Sequence, residues 1–162
     1  MNPVQYVPIG VVHSPLKDPV GAPIQSVSAR RLRGTVEVFG PYAGGLRDLA
    51  GFSHLILLYH FHLARKRAPL VVKPFLDDIE HGVFSTRAPA RPNPIGISTV
   101  RLERIDGATL HVRDLDIVDG TPLLDIKPYV PAFDSRSVRR IGWYAGRISR
   151  LHDVRADGRF TA

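Results

Sequence analysis

The sequence predicts a mainly β fold, a small antiparallel β-barrel with one or two short helices, including a basic C-terminal helix. Short runs rich in Val and Ile recur along the chain, several of them alternating apolar with polar residues. Gly, Pro and Asp-Gly turn signals separate these runs, and the gaps leave little room for crossover helices. A chain of 162 residues fits one domain and is long enough to bury a core.

Taken in order, the first strand is expected over 6–13 (YVPIGVVH), where β-branched residues dominate. The run 35–39 (TVEVF) alternates cleanly, as a half-buried strand does. A short helix is expected over 43–49. The long apolar and aromatic run 53–63 (SHLILLYHFHL) is the next strand, followed by 82–86 and 96–105 (GISTVRLERI). Asp106-Gly107 then marks a hairpin into 109–114, because Asp-Gly accepts the positive φ of a tight turn. A last strand is expected over 123–126. A second helix should begin at Ser135 or Ser137, either of which is a good cap. Val138, Ile141, Tyr144, Ile148 and Leu151 recur there at helical spacing, and most of the arginines fall elsewhere. Gly142 and Gly146 weaken that helix by about 1 kcal/mol each relative to Ala. The chain accordingly divides into a barrel, 1–134, and a basic helix and tail, 135–162.

Twenty-two basic residues against fifteen acidic ones leave a net charge of +7. Such an excess attracts polyanions by steering and counterion release, which makes a nucleic acid the first partner to consider. Eighteen of the basic residues are Arg, whose planar fork suits phosphates and bases. With no cysteine, disulfides and thiolate chemistry are excluded. The apolar runs are too short for a membrane-crossing helix, and no secretory signal opens the chain, so a cytoplasmic protein without a membrane partner is expected.

Three clusters carry candidate chemistry. The first is 86–96 (TRAPARPNPIG), where Pro92 and Pro94 fix their own φ and hold Arg91 and Asn93 extended. A stiff loop of this kind presents side chains that have little conformational entropy left to lose. The second is 114–129, with four aspartates within twelve residues of strand-like sequence. Asp is a poor strand former, so turns, ion pairs with Arg, or a site are all open readings. Asp125 and Lys127, two residues apart on a strand, share a face. The third cluster is His54, His60 and His62, which also share a face; a His-x-His pair can hold a metal. No third ligand follows, so no metal site is expected. Phosphate loops, dinucleotide fingerprints, zinc-protease motifs and nucleophile elbows are all missing from the sequence.

The stretch GVFSTRAPARPNPIGISTVRL resembles the signature of the TrmO family, also called TsaA-like or VirR-like. IGVVHSP, FSHLILLYHFH and LDIVDGTPLLDIKPYVP agree with the family in order and spacing, so the resemblance covers about residues 6–133. It implies a single-barrel methyltransferase outside the Rossmann class, usually dimeric, with S-adenosylmethionine bound near the subunit interface. Bacterial members methylate threonylcarbamoyladenosine next to the anticodon of tRNA. By motif position, the cofactor contacts would come from Gln25, His62, Arg87 and the turn Asp119-Gly120-Thr121-Pro122. Arg91, Asn93, Pro94, Ile95 and Gly96 would shape the same pocket. Arg87 and Arg91 suit the cofactor carboxylate or RNA phosphates, since Arg binds both bidentately. The acceptor nitrogen bears a proton, and a base that removes it would accelerate transfer by about 10²–10⁴-fold. Asp125 is the expected base, with His62 second. A non-catalytic RNA-binding barrel, a methyltransferase of a small molecule or protein, and a metal enzyme using His60 and His62 remain the alternatives at this stage.

Overall fold

The computed structural model describes residues 2–162; Met1, the first position of the expected barrel domain, lies outside the described residues. The described residues form eight strands: β1 (Gly10–His13), β2 (Arg33–Val38), β3 (His54–His60), β4 (Val71–Val72), β5 (His81–Gly82), β6 (Ile95–Asp106), β7 (Thr109–Arg113) and β8 (Thr121–Pro128). Six of them close a barrel in the order β1-β2-β7-β6-β3-β8, every pairing antiparallel. Closure leaves the barrel without a free sheet edge.

Alternation places the core. Along β3, Leu55, Leu57 and Tyr59 point inward and the even-numbered residues point out, so His54 and His60 lie on the outer face. Val12, Val36, Val38, Val100, Leu110, Val112 and Leu123 meet them from the other barrel strands. The hairpin predicted at Asp106-Gly107 joins β6 to β7, with Gly107 at φ 58°. Gly96 and Ser98 occupy inward positions of β6, Gly96 against the Tyr59 ring and Ser98 beside its hydroxyl. A Cβ on Gly96 would fall inside that ring, so the strand pairing itself depends on glycine there.

Four local expectations are corrected. The first strand begins at Gly10 rather than residue 6; Pro8 has no N–H to give a sheet, and Tyr6 and Val7 stay exposed. Residues 82–86 leave extended geometry after β5: Val83–Ser85 form a 3₁₀ turn. The Ser85 and Thr86 hydroxyls donate to the carbonyls of Gly82 and Val83, competing with any sheet pairing. The helix expected over 43–49 is two 3₁₀ turns, Gly40–Leu46 and Leu49–Gly51. The continuous C-terminal helix is absent as well. After a single α-turn, Pro131–Asp134, the tail runs through 3₁₀ turns at Gly142–Tyr144 and Ile148–Arg150. Gly142 and Gly146 have φ of 60° and 78°, which breaks the helix that the apolar spacing suggested. Among the described residues no helix is long and apolar enough to cross a membrane.

The tail is clasped to the barrel through the long connection between β3 and β6. Asp77, nearly buried, accepts from His81 Nε2 at 3.0 Å and Arg147 Nε at 2.9 Å. Trp143 stacks between His81 and Tyr144, and its indole N–H donates to the Ser85 carbonyl at 2.8 Å. Phe160 packs with Val72, Val83, Ala88 and Ala90 in a second apolar cluster, meeting Phe75 edge to face. Backbone bonds from Gly21 to Ala156 and from Arg65 to Phe160 complete the clasp.

Two outcomes follow. Gly96→Ala should lower the unfolding free energy by about 1–3 kcal/mol through overpacking against Tyr59, read by denaturant titration. Asp77→Ala should free the tail while leaving the barrel folded. Limited trypsin digestion would then cut at Arg139, Arg140 or Arg150 much sooner than in the parent, with circular dichroism unchanged.

Candidate active site

The C-terminal end of β3, the N-terminal end of β6 and the connection between β7 and β8 converge at one end of the barrel. There the loop before β2, the 61–94 excursion and the tail rise around a cleft of about 200 Å³. Its walls are mostly apolar and aromatic, including Tyr59, Phe61, Phe75, Trp143, Tyr144 and Phe160. Few polar groups point into it, the usual make-up of a site for an organic ligand.

Seven of the predicted site residues line this cleft: Gln25, His62, Arg87, Arg91, Ile95, Gly96 and Thr121. Gln25 and Arg87, 62 positions apart in sequence, meet at 2.8 Å, with the guanidinium donating to the amide oxygen. Arg91 donates to the Thr86 carbonyl at 3.1 Å and so closes the proline loop on itself. The Pro94 carbonyl accepts from the Phe61 N–H at 2.8 Å and fastens the loop to the end of β3. Asn93 faces a shallower depression beside the cleft, shared with Arg87, Arg91 and Ile95. His62 stands at the rim, where partial burial and the neighbouring His60 lower its pKa and favour the neutral imidazole.

Asp119, Gly120 and Pro122 fall outside the cleft lining and brace the junction of β1 with β8. The Asp119 carboxylate takes the Lys17 ammonium at 2.8 Å and the Ser14 N–H at 2.9 Å, and these hold its pKa below the usual carboxylate range. Gly120, at φ 75°, makes the turn, and its N–H donates to the Val12 carbonyl. Thr121 is the member of this motif that faces inward; its hydroxyl donates to the Val118 carbonyl at 2.6 Å.

Asp125 is also outside the cleft. The pairing of β8 with β3 slips between Leu58 and Tyr59: Tyr59 faces Leu123, Leu58 faces Asp125, and Leu57 faces Ile126. This bulge turns Ile126 toward the core and leaves Asp125 outward, on the face shared with Lys127. The two side chains pair at 2.7 Å.

The carboxylate that does line the cleft is Asp116. It sits between Leu115 and Ile117, both fully buried, in the segment joining β7 to β8. Ser98 Oγ donates to Asp116 Oδ1 at 2.6 Å, and the Tyr59 hydroxyl lies 3.0 Å from the same Ser98 oxygen. Burial pushes the Asp116 carboxyl up to about 6; the Ser98 bond, its own amide and the Arg87 charge oppose that rise. Burial, together with Asp116, also raises the Tyr59 phenol. The available signal was a serine between Gly96 and Val100 on the inward face of a strand, and an aspartate flanked directly by Leu115 and Ile117. Trp143, Tyr144 and Phe160 lie in the segment read from sequence as helix and tail, where nothing pointed to the cleft.

Residues 11–135 match the sequence profile of the tRNA-methyltransferase O N-terminal domain. A probable S-adenosyl-L-methionine-binding protein of Pyrococcus abyssi is 56% identical over 155 residues, spanning 96% of this chain and 84% of that protein. The tRNA (adenine(37)-N6)-methyltransferase of Escherichia coli is 40% identical over 144 residues, 83% of this chain and 61% of that protein. The crystal structure of TrmO from Pseudomonas aeruginosa superposes with a TM-score of 0.73 at 38% identity, covering 88% of this chain and 63% of the solved one. The chain therefore spans less than two thirds of the length of both named TrmO-type proteins. The matched region holds β1 to β8, the proline loop and the relay from Tyr59 to Asp116, and on that ground the chain belongs to the tRNA-methyltransferase O N-terminal domain family.

Proposed function

We propose that this protein is an S-adenosylmethionine-dependent methyltransferase acting on N6 of adenine 37 of tRNA, with the threonylcarbamoyl-bearing adenosine as its acceptor. The observation that carries the reading is the cleft itself, where Gln25, Arg87 and the proline loop converge on an apolar hollow. The names of the Pyrococcus and Escherichia relatives supply its chemical class.

The donor set fits an amino-acid-bearing nucleoside. Arg87 offers a guanidinium for a carboxylate, a charge-assisted bond stronger than a neutral one. The aromatic and aliphatic walls suit a planar base. When bound, the group supplies a methyl on a sulfonium, which leaves as the sulfur becomes a neutral thioether. The protein's part is alignment: a rigid loop and an enclosed cleft hold the acceptor in line, a contribution of about 7–11 kcal/mol when positioning is good. His62 at the rim and Thr121 in the wall are further cofactor contacts on this reading, and Arg91 keeps the loop in shape.

Exposed Arg65, Lys66 and Arg67 lie just past the cleft, and Arg136, Arg139 and Arg140 stand exposed on the tail. These are the side chains proposed to track the tRNA backbone. Phe84, 76% exposed, with Ile95 and Ile97 beside the shallower depression, forms an apolar patch that supports a homodimer with the cleft near its interface. On this reading the protein works in the cytoplasm, where tRNA is met.

The direct test is to incubate the protein with labelled S-adenosylmethionine and tRNA with or without the threonylcarbamoyl group, then analyse nucleosides by mass spectrometry. Methylation confined to the threonylcarbamoyl-bearing adenosine is expected; cofactor binding without transfer to either tRNA would redirect the search to other acceptors. Arg87→Ala should weaken cofactor binding about 10–100-fold by calorimetry, the loss expected for a hydrogen bond to a charged group. An unchanged affinity would remove Arg87 from the site.

A further inference from the structure

We infer that Asp116 is the base that takes the proton from the acceptor nitrogen during methyl transfer, aligned by a hydrogen-bonded relay from Ser98 and Tyr59. This assignment rests on the methyltransferase reading of the same cleft.

Geometry singles the residue out. Among the described residues lining the cleft, Asp116 is the only carboxylate. Asp125, the base expected from sequence, is turned outward and paired with Lys127. The relay also has a fixed direction. Ser98 has one hydroxyl proton and gives it to Asp116 Oδ1 at 2.6 Å. The Tyr59 hydroxyl, 3.0 Å from Ser98 Oγ, must then donate to that oxygen. Both donors are anchored on neighbouring barrel strands, so Oδ1 is locked in place. Oδ2 accepts no hydrogen bond from any other described residue and remains the oxygen open to a ligand.

The charged and titratable groups that face the carboxyl fit this role. Arg87, on the proline-loop side, favours its ionised form, and the Tyr59 phenol stays protonated beside it. His62 and Tyr144 lie farther along the cleft. With a carboxyl titrating near 6, Asp116 is ionised at neutral pH yet more basic than an ordinary aspartate.

The step balances as follows. The acceptor nitrogen forms its bond to the methyl carbon while the carbon–sulfur bond breaks, and that bonding pair stays on sulfur. The N–H bonding pair stays on nitrogen and offsets the pair given to carbon, while the proton passes to Asp116 Oδ2. The carboxylic acid then returns the proton to water when the cleft opens to product.

The test compares wild type, Asp116→Asn, Asp116→Glu and Ser98→Ala. It measures S-adenosylmethionine affinity by calorimetry, single-turnover methyl transfer to threonylcarbamoyl-bearing tRNA from about pH 5 to 9, and carboxyl titration by carbon NMR. Asp116→Asn should keep cofactor affinity within about twofold and lose about 10²–10⁴-fold in rate, with partial recovery in Asp116→Glu. In wild type the rate should rise with pH along a limb near 6 that matches the NMR titration of Asp116. Ser98→Ala should move both upward together, because it removes a bond that favours the ionised form. An active wild type with Asp116→Asn within a few fold of it overturns the base assignment and leaves the methyltransferase reading standing. Should the Asn variant fail to fold, an Asp116 titrating at the ordinary aspartate value, or a rate insensitive to Ser98→Ala, overturns the assignment alone. A wild type that neither binds cofactor nor methylates tRNA overturns both.

Discussion

A phenol buried at the end of a β-barrel must find a partner, and the way Tyr59 finds one organises everything around it. Its ring lies flat over Gly96 and its hydroxyl reaches Ser98, two residues on along the same inward face of β6. Ser98 passes the demand on to Asp116, half-buried in the cleft wall. A buried polar group left unmatched costs about 1–3 kcal/mol, so each member of this chain fixes the next. The barrel end is consequently open enough to hold a ligand, yet rigid, because its polar atoms are already matched to one another.

The same end of the barrel gathers sequence-distant pieces. Residues 19–25, the proline loop, the β7–β8 segment and the tail contribute one wall each. None of these is regular secondary structure, and each is held by specific backbone or ionic bonds, such as Arg87 to Gln25 or Asp77 to Arg147. The division of labour is familiar in small barrels: the closed sheet supplies stiffness, and the irregular segments above it supply the chemistry.

What the sequence disclosed follows from which forces act locally. Strand positions β2, β3, β6 and β7 were legible because period-two alternation is imposed by the pleat itself, and the Asp106-Gly107 turn because positive φ selects its residues. Gln25, His62 and Arg87 were reached through family motifs, and the fold brings them to one cleft. The failures come from forces that are not local. Apolar spacing over 138–151 imitates a helix, yet two glycines at positive φ and the contacts of Trp143 with His81 and Ser85 favour turns. The outward turn of Asp125 depends on a bulge in the β3–β8 pairing, a property of two strands at once. Asp116 was visible as one aspartate of four; only closure of the barrel sets it beneath Ser98.

The clasp of the tail separates what closes the sheet from what completes the hollow. All six barrel strands are complete by Pro128, so closure of the sheet uses no residue of 143–161. Trp143, Tyr144 and Phe160 nevertheless finish the hollow whose floor that sheet provides. Ligand capture thus depends on a segment that the hydrogen-bonded sheet does without, and the two can be altered separately.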